Sequence, residues 1–179
     1  IKSISGIRGT IGGKPGDNLT PVDVVECTAG FGTWMKRRGL SPKVVVGRDG
    51  RISGNMVSQL AIQTLIAMGI DVVDTGLSTT PTVEMMVPRL SAGAGIIFTA
   101  SHNPKEWNAL KFLNNQGEFI SAQDGEEIID IIKSGDLNFV NVDDLGHYSK
   151  VDDAIGYHIS KILEYKFVNI EAIKSADIH

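Results

Sequence analysis

The stretch "KVVVGRDGRISGNMVSQLAIQTLIAMGIDVVDTG", residues 43–76, decides the fold class of this chain. Its first residues are a short apolar run that ends in a polar loop, which predicts a strand. Residues 54–69 are apolar on more than one face and predict a well-buried helix, with Ser53 as its cap. Residues 70–76 predict a second strand. Strand, helix and strand in this order indicate a βαβ unit.

The alternation of strands and helices continues on both sides of this unit. Residues 20–39 predict a helix, because Thr20 can cap it, Pro21 suits its first turn and Gly39 follows its end. The other predicted elements are a strand within 1–10, a helix at 79–87 capped by Thr80 and ended by Pro88, strands at 92–99 and 109–114, and a helix at 121–135 closed by Gly135. We therefore expect an α/β fold with a mixed, largely parallel sheet flanked by helices.

In such a sheet, ligands bind in the loops beyond the carboxyl ends of the strands. Three polar segments qualify for that position: Gly6–Gly9, Arg48–Ser53 and Ser101–Pro104. The sequence thus predicts one candidate site assembled from loops that are far apart along the chain.

Charge and composition exclude several functional classes. The 179 residues include 17 Lys and Arg against 21 Asp and Glu, a net charge of −4, which argues against a broad nucleic-acid surface. A few cations in a cleft can still bind an anionic small substrate. No apolar run approaches the ~18 residues of a membrane span. The single cysteine, Cys27, predicts buried packing and no internal disulfide, and we expect a cytoplasmic setting.

The segment "FTASHNPKEWNALKF", residues 98–112, has the most chemically suggestive composition. Ser101 could be a cap in an ordinary turn, with His102 as a loop histidine. A serine-hydrolase interpretation is weaker, since the G-x-S-x-G pattern is absent. Phosphoryl transfer needs an acceptor hydroxyl, cations and a proton carrier, and Ser101, Lys111, Arg8 and His102 supply these types.

Three motifs in order along the chain resemble the α-D-phosphohexomutase superfamily: "SGIRG" at 5–9, "GRDGRISG" at 47–54, and "TASHNP" at 99–104 followed by Lys111. The resemblance implies that residues 1–147 form the family's first domain, which carries the serine loop. Residues 148–179 would be a linker and the first helices of a truncated second domain. This chain alone is then expected to be inactive.

The resemblance also implies an activity and a role for each site residue. Ser101 would be a phosphoserine that moves phosphate between the 1- and 6-positions of a hexose through a bisphosphorylated sugar. Lys111 matches a candidate general base, and His102 matches a residue that assists proton movement. Arg8 and Asn103 match residues that position the serine and its phosphate. Gly9 and Arg51 are also expected to position substrate or phosphate.

The expected partners are a hexose phosphate, of glucosamine or of glucose and mannose, and a hexose 1,6-bisphosphate. The expected cofactor is Mg²⁺, bound through the phosphate on Ser101 together with aspartates that lie beyond this chain. The alternative is a non-catalytic sugar-phosphate binding or interaction module, in which the serine loop survives without turnover.

The end of the chain has a different character. Residues 151–167 predict one helix, and residues 169–176 a second short helical piece. The first helix carries an apolar stripe formed by Ile155, Ile159, Ile162 and Leu163. We expect this stripe to pack on the first domain or on a second copy of the chain, which makes self-association possible. His158 is expected on the side of the same helix.

Overall fold

A computed structural model describes residues 2–3 and 6–176 of the chain. Along the chain its elements are β1 (Lys2–Ser3), β2 (Gly6–Thr10), α1 (Pro21–Arg37), β3 (Lys43–Arg48), α2 (Gly54–Ala67), β4 (Asp71–Leu77), α3 (Thr80–Arg89), β5 (Ala94–Phe98), β6 (Trp107–Leu113), α4 (Ala122–Ser134), a 3-10 turn (Val142–Asp144), β7 (Tyr148–Lys150), α5 (Ala154–Leu163) and α6 (Ile170–Ser175). Parts of the strand predicted within 1–10, the Ser5 of the first motif, and residues 177–179 lie outside the described residues.

Within the described residues, seven strands form a single sheet in the order β1-β2-β6-β5-β3-β4-β7. The pairs β5–β3, β3–β4 and β4–β7 are parallel, and the pairs that join β1, β2, β6 and β5 are antiparallel. Five strands therefore run in one direction, and β1 and β6 run against them. The predicted mixed α/β sheet with flanking helices is confirmed.

Helices cover both faces of the sheet. Because successive residues of a strand point to opposite faces, Val44 and Val46 of β3 contribute to the core under α1, α2 and α4, whereas Val45 contributes to the core under α3 and α5. The larger core includes an aromatic stack in which the rings of Phe31 and Phe112 lie 4.3 Å apart. Cys27 is fully buried in this core, as its pattern predicted.

The predicted boundaries of two helices are confirmed by their local structure. Thr20 caps α1 in a capping box with Asp23, and Gly39 follows the helix with φ +63°. Ser121 and Asp124 form the same box at the start of α4, which ends at Gly135 in a left-handed conformation.

Two other boundaries differ from the prediction. Thr79, not Thr80, caps α3, because its hydroxyl accepts the amide hydrogen of Thr82. Pro88 lies inside the last turn of α3, which ends at Arg89. Proline has no backbone N–H, so the final turn lacks one backbone hydrogen bond, and the helix continues for only one residue after Pro88.

Ser53 stands at the cap position of α2 but makes no capping hydrogen bond. Its hydroxyl instead accepts a hydrogen bond of 2.9 Å from the side-chain amide of the fully buried Asn108. The predicted role of Ser53 as a helix cap is therefore wrong, since a buried amide on β6 binds the same oxygen.

The tail differs from its prediction in length. The helix predicted over 151–167 is confined to α5, because Asp153 caps it by accepting the amide hydrogen of Gly156. Contacts of α5 with α3 include polar and aromatic side chains: His158 Nδ1 lies 2.9 Å from the Thr82 hydroxyl, and Tyr157 lies under the Arg89 guanidinium at 3.7 Å. Ile162 of the stripe lines a surface cavity together with Met85 of α3.

The apolar stripe remains about half exposed, at 47%, 51%, 48% and 41% for Ile155, Ile159, Ile162 and Leu163. The first domain therefore covers this stripe only in part. Self-association through it stays a prediction, as does the boundary at residue 147, where β7 adds to the sheet beside β4. Within residues 2–3 and 6–176, no helix combines the length and the apolar character that a membrane crossing requires.

Candidate functional site

Ser101 lies in the loop that follows β5, at the carboxyl edge of the parallel part of the sheet. Its φ of +55° is in the left-handed region, which costs a non-glycine residue about 1–2 kcal/mol. The loop supplies the compensation: the Ser101 amide donates to the Thr99 hydroxyl at 3.0 Å. This bond holds the backbone of Ser101, whose side chain is exposed beyond the carboxyl end of β5.

Lys111 contacts the serine hydroxyl directly. Its ammonium donates a hydrogen bond of 2.8 Å to Ser101 Oγ. The side chain leaves β6 on the face opposite to Leu110 and Phe112, which are buried, as the alternation of this strand predicted. Lys111 in β6 and Ser101 in the preceding loop, ten residues apart in the sequence, are therefore in direct contact.

The electrostatic surroundings of Lys111 favour a less basic amine. Burial lowers the pKa of Lys111, and the nearby positive charge of Arg8 lowers it further. Asp49 and Glu84 act in the opposite direction. The net result is a lowered pKa, which favours a lysine that can exchange a proton.

Arg8 lies in strand β2 and not in a loop, which corrects the prediction for residues 6–9. It pairs in register with Ala109 of the antiparallel neighbour β6. Its guanidinium donates to the Asn103 side chain at 3.2 Å. Strand pairing therefore brings Arg8 to the same loop as Ser101. Gly9 is buried in the same strand, where a Cβ would lie 2.8 Å from the amide nitrogen of Leu19.

Arg51 fixes the backbone of the serine loop. Its guanidinium donates to four backbone carbonyls, those of Ser101, Asn103 and Pro104 at 2.8 Å and that of Trp107 at 3.0 Å. The side chain is 11% exposed and also pairs with Asp49 at 3.2 Å. A planar guanidinium with five donors suits this arrangement, and a lysine could not reproduce it. The loop after β3 thus supports the loop after β5.

The family model for "Phosphoglucomutase/phosphomannomutase, alpha/beta/alpha domain I" matches residues 2–139. The chain belongs to this phosphohexomutase family. It is 35% identical over 153 residues to a phosphoglucosamine mutase of Aliarcobacter butzleri, covering 84% of this chain and 34% of that protein. It is 34% identical over 169 residues to a phosphoglucomutase/phosphomannomutase of Thermococcus kodakarensis, covering 93% and 36%.

A solved structure has the same fold. The crystal structure of a phosphoglucomutase/phosphomannomutase family protein from Burkholderia thailandensis matches with a TM-score of 0.77 at 26% identity, over 94% of this chain and 36% of that one. This phosphohexomutase chain therefore spans about a third of the length of the relatives that it matches.

The remaining predicted site residue, His102, is not joined to the others. It is exposed next to Ser101, and in the part of the chain that the structure describes no hydrogen bond or ion pair reaches its ring. The phosphohexomutase loop therefore places Ser101, Lys111, Arg8, Asn103 and Arg51 in one contact network and leaves His102 at its edge.

The described residues do not fit a complete magnesium site. No group of three or more His, Cys, Asp or Glu side chains among residues 2–3 and 6–176 could hold a metal ion. The atom that contacts the serine hydroxyl is an ammonium and not a carboxylate. In this chain the surroundings of Ser101 suit an anion, since Lys111 and Arg8 both lie close to it.

Two residues of this phosphohexomutase site were missed by the sequence reasoning. Asn108 is fully buried and links β6 to the loop at Ser53. A polar residue in an otherwise apolar strand was the available signal, since buried amides require partners. Glu84 contributes to the field at Lys111 from α3, and nothing in the sequence signals that contribution, because it depends on how α3 packs on the sheet.

Proposed function

We propose that this chain forms the phosphoserine-bearing part of a phosphohexose mutase. The carrying observation is the hydrogen bond of 2.8 Å between Lys111 Nζ and the oxygen of Ser101, a residue held in a left-handed conformation. In the proposed cycle the phosphate on Ser101 passes to a sugar hydroxyl and gives a bisphosphorylated hexose. The hexose reorients, and its other phosphate returns to the serine, so phosphate moves between positions 1 and 6.

The proton balance assigns two tasks to Lys111. As the bond between Ser101 Oγ and phosphorus breaks and the bond between the sugar oxygen and phosphorus forms, the sugar hydroxyl loses a proton and the serine oxygen gains one. Lys111 can accept the first proton as a neutral amine and deliver it to the oxygen that it already contacts. Burial and the Arg8 charge, which lower the pKa of Lys111, favour this exchange. A phosphate on Ser101 would oppose them.

The other residues position the phosphate. Arg8 and Asn103 are paired at 3.2 Å and lie where they can orient a phosphate on the serine. Arg51 holds the loop through its carbonyls, and Gly9 allows the close approach of the chain beside Arg8. His102 is exposed next to the serine and would assist proton movement once substrate is bound.

The names of the relatives support a hexose phosphate as substrate, and we propose glucosamine phosphate, or glucose and mannose phosphate, as the candidates. Bound Mg²⁺ would neutralise phosphate charge, and this chain would supply one ligand, the phosphate on Ser101. We further propose that the reaction is cytoplasmic, that a hexose 1,6-bisphosphate primes the serine, and that residues 1–179 alone do not turn over.

The test is a mutase assay on the product of the complete reading frame, with hexose 1-phosphate, a trace of hexose 1,6-bisphosphate and Mg²⁺. Ser101→Ala should abolish conversion to the 6-phosphate, while Ser175→Ala, a change at an exposed serine of α6, should leave it unchanged. A wild-type protein that binds hexose phosphate without converting it would instead be a sugar-phosphate binding module, and conversion by Ser101→Ala would refute the phosphoserine.

A further inference from the structure

Glu84 is a half-buried carboxylate that the proposed cycle does not use. It lies in the middle of α3, between residues that pack on the sheet. Val83 and Val87 of this helix belong to the apolar cluster that also contains Ile97 and Leu113 of the sheet. The helix is therefore fixed against this face of the sheet, and the position of Glu84 is fixed with it.

Lys111 lies on the same face. It pairs in register with Ile97 of β5 and stands two residues before Leu113, so its side chain leaves the sheet on the side that α3 covers. The turn after β6 also rests on α3: Gly117 has φ +82°, and a Cβ there would overlap the backbone carbonyl oxygen of Glu84. The helix, the turn and the lysine strand form one packed unit.

Glu84 and Lys111 interact without forming an ion pair. Burial raises the pKa of Glu84, and the attraction of Lys111 partly opposes this. Across residues 2–3 and 6–176, no hydrogen bond or salt bridge reaches the Glu84 carboxylate. A carboxylate that is half shielded from water and lacks a hydrogen-bond donor is stabilised when a ligand supplies such a donor.

Lys111 links Glu84 to the reacting atoms, because it interacts with the Glu84 charge and contacts the Ser101 hydroxyl. The ammonium of Lys111 uses a hydrogen bond toward Ser101 and lies 5.9 Å from the centre of the Phe119 ring, which is 42% exposed. An ammonium has three donors, so Lys111 retains hydrogens for a bound hydroxyl. A sugar whose acceptor hydroxyl lies next to Ser101 and Lys111 would present its other ring substituents to the groups around this lysine.

We propose that Glu84 is a substrate-binding residue of this site, whose carboxylate accepts a hydrogen bond from a hydroxyl or ammonium group on the hexose ring while Lys111 contacts the hydroxyl that receives the phosphate. The inference rests on the proposed function and adds to it one residue that orients the sugar. Both ligand groups are hydrogen-bond donors, and a carboxylate binds an ammonium group more tightly than a hydroxyl.

The experiment measures kcat and KM for Glu84→Gln and Glu84→Asp in the product of the complete reading frame. Glu126→Gln, a change at an exposed carboxylate of α4, is the matched control. Glutamine keeps an acceptor oxygen but loses the charge, and this weakening of the hydrogen bond corresponds to roughly a tenfold rise in KM for Glu84→Gln, with kcat little changed. Glu84→Asp, which keeps the charge and withdraws it by one methylene group, should show a smaller rise.

Two substrates distinguish the sources of the donor. If Glu84 binds an ammonium group, Glu84→Gln raises the KM for glucosamine 6-phosphate much more than that for glucose 6-phosphate. If it binds a hydroxyl, the two KM values rise together. An unchanged KM for both, or a fall in kcat at constant KM, would overturn the inference.

Failure of the proposed function looks different, since wild-type protein would then convert neither sugar phosphate. In that case the KM comparison is replaced by calorimetric titration with each 6-phosphate, in which an unchanged Kd for Glu84→Gln again overturns the inference. Thermal melting of each variant reports folding. Where Glu84→Gln melts well below wild type, Glu84→Asp decides by the same criteria.

Discussion

Replacing Arg51 by alanine should loosen the serine loop and destabilise the whole domain. The guanidinium donates to four carbonyls, of which those of Asn103 and Trp107 are partly buried and those of Ser101 and Pro104 are exposed. Hydrogen bonds to a charged group contribute about 1.5–3 kcal/mol each when their partners cannot be hydrated instead. The exposed carbonyls will bind water, so the two partly buried ones dominate, and we expect a loss of about 3 kcal/mol.

Urea and thermal unfolding of residues 1–179 measure this loss. For a domain of this size, about 3 kcal/mol corresponds to a fall in Tm of roughly 6–12 °C. Arg51→Lys should recover little, because an ammonium cannot match the planar fork of donors. The control is Arg37→Ala. The Arg37 guanidinium is 45% exposed and pairs with Asp136 on the surface, so we expect this variant to lose less than about 1 kcal/mol of unfolding free energy.

Amide hydrogen exchange locates the effect in the structure. With Arg51→Ala, exchange should accelerate at residues 101–107 more than in the core strands, since the loop loses the side chain that holds its carbonyls. A loss of stability for Arg51→Ala no larger than that for Arg37→Ala, or wild-type exchange at the loop amides, would refute this role of Arg51.

Three further changes test other parts of the account. Gly117→Ala should lower the free energy of unfolding by more than about 2 kcal/mol, and Gly39→Ala by about 1 kcal/mol. Both glycines have a positive φ, but only a Cβ at Gly117 would meet a backbone carbonyl, so equal urea midpoints for the two variants would contradict this prediction. Burial raises the pKa of Asp23, but hydrogen bonds from the Thr20 hydroxyl and nearby amides lower it more, so that it lies below the ordinary value of 3.8. The ionised Asp23 therefore contributes fully to the stability of the folded state above pH 3.8, and this contribution is lost as the pH falls through the lower, folded-state pKa. Asp23→Asn should therefore be less stable than wild type near neutral pH and show a flatter loss below about pH 4, and parallel curves of unfolding free energy against pH would count against the assignment. Lys111→Met should lower kcat at least about 100-fold with folding intact, as expected for loss of a proton-transferring group, and retention of full activity would remove it from the cycle.

The elements that were predictable from sequence share a local cause. The hydrophobic periodicity of the βαβ unit and the caps at Thr20 and Gly135 depend on residues only a few positions apart in the sequence. These predictions are confirmed. The resemblance of the serine loop correctly grouped Ser101 with Lys111. Both lie on adjacent segments of chain, so the loop has few ways to separate them.

The parts that were not predictable depend on pairing between distant segments. Arg8 was expected in a loop, but antiparallel pairing of β2 with β6 makes it part of a strand. Ser53 was expected to cap α2, and the buried amide of Asn108 binds it instead. Glu84 enters the site only because α3 packs on the face of the sheet that carries Lys111.

The tail shows the limit of an amphipathic pattern. The stripe of Ile155, Ile159, Ile162 and Leu163 was expected to pack on the first domain or on a second copy of the chain. It stays about half exposed, and Tyr157 and His158 also contact α3. A helix can pack through an aromatic and a polar side chain while its most apolar face stays half exposed, and the sequence pattern alone does not say which surface the rest of the chain presents to it.

The most direct test of the central claim is phosphopeptide mapping of the product of the complete reading frame after incubation with a hexose 1,6-bisphosphate and Mg²⁺. We predict phosphate on Ser101 that is lost when a hexose monophosphate is added, and no phosphate on the neighbouring peptide residues. An unmodified Ser101 in the folded protein would contradict the account and leave the loop with a binding or structural role.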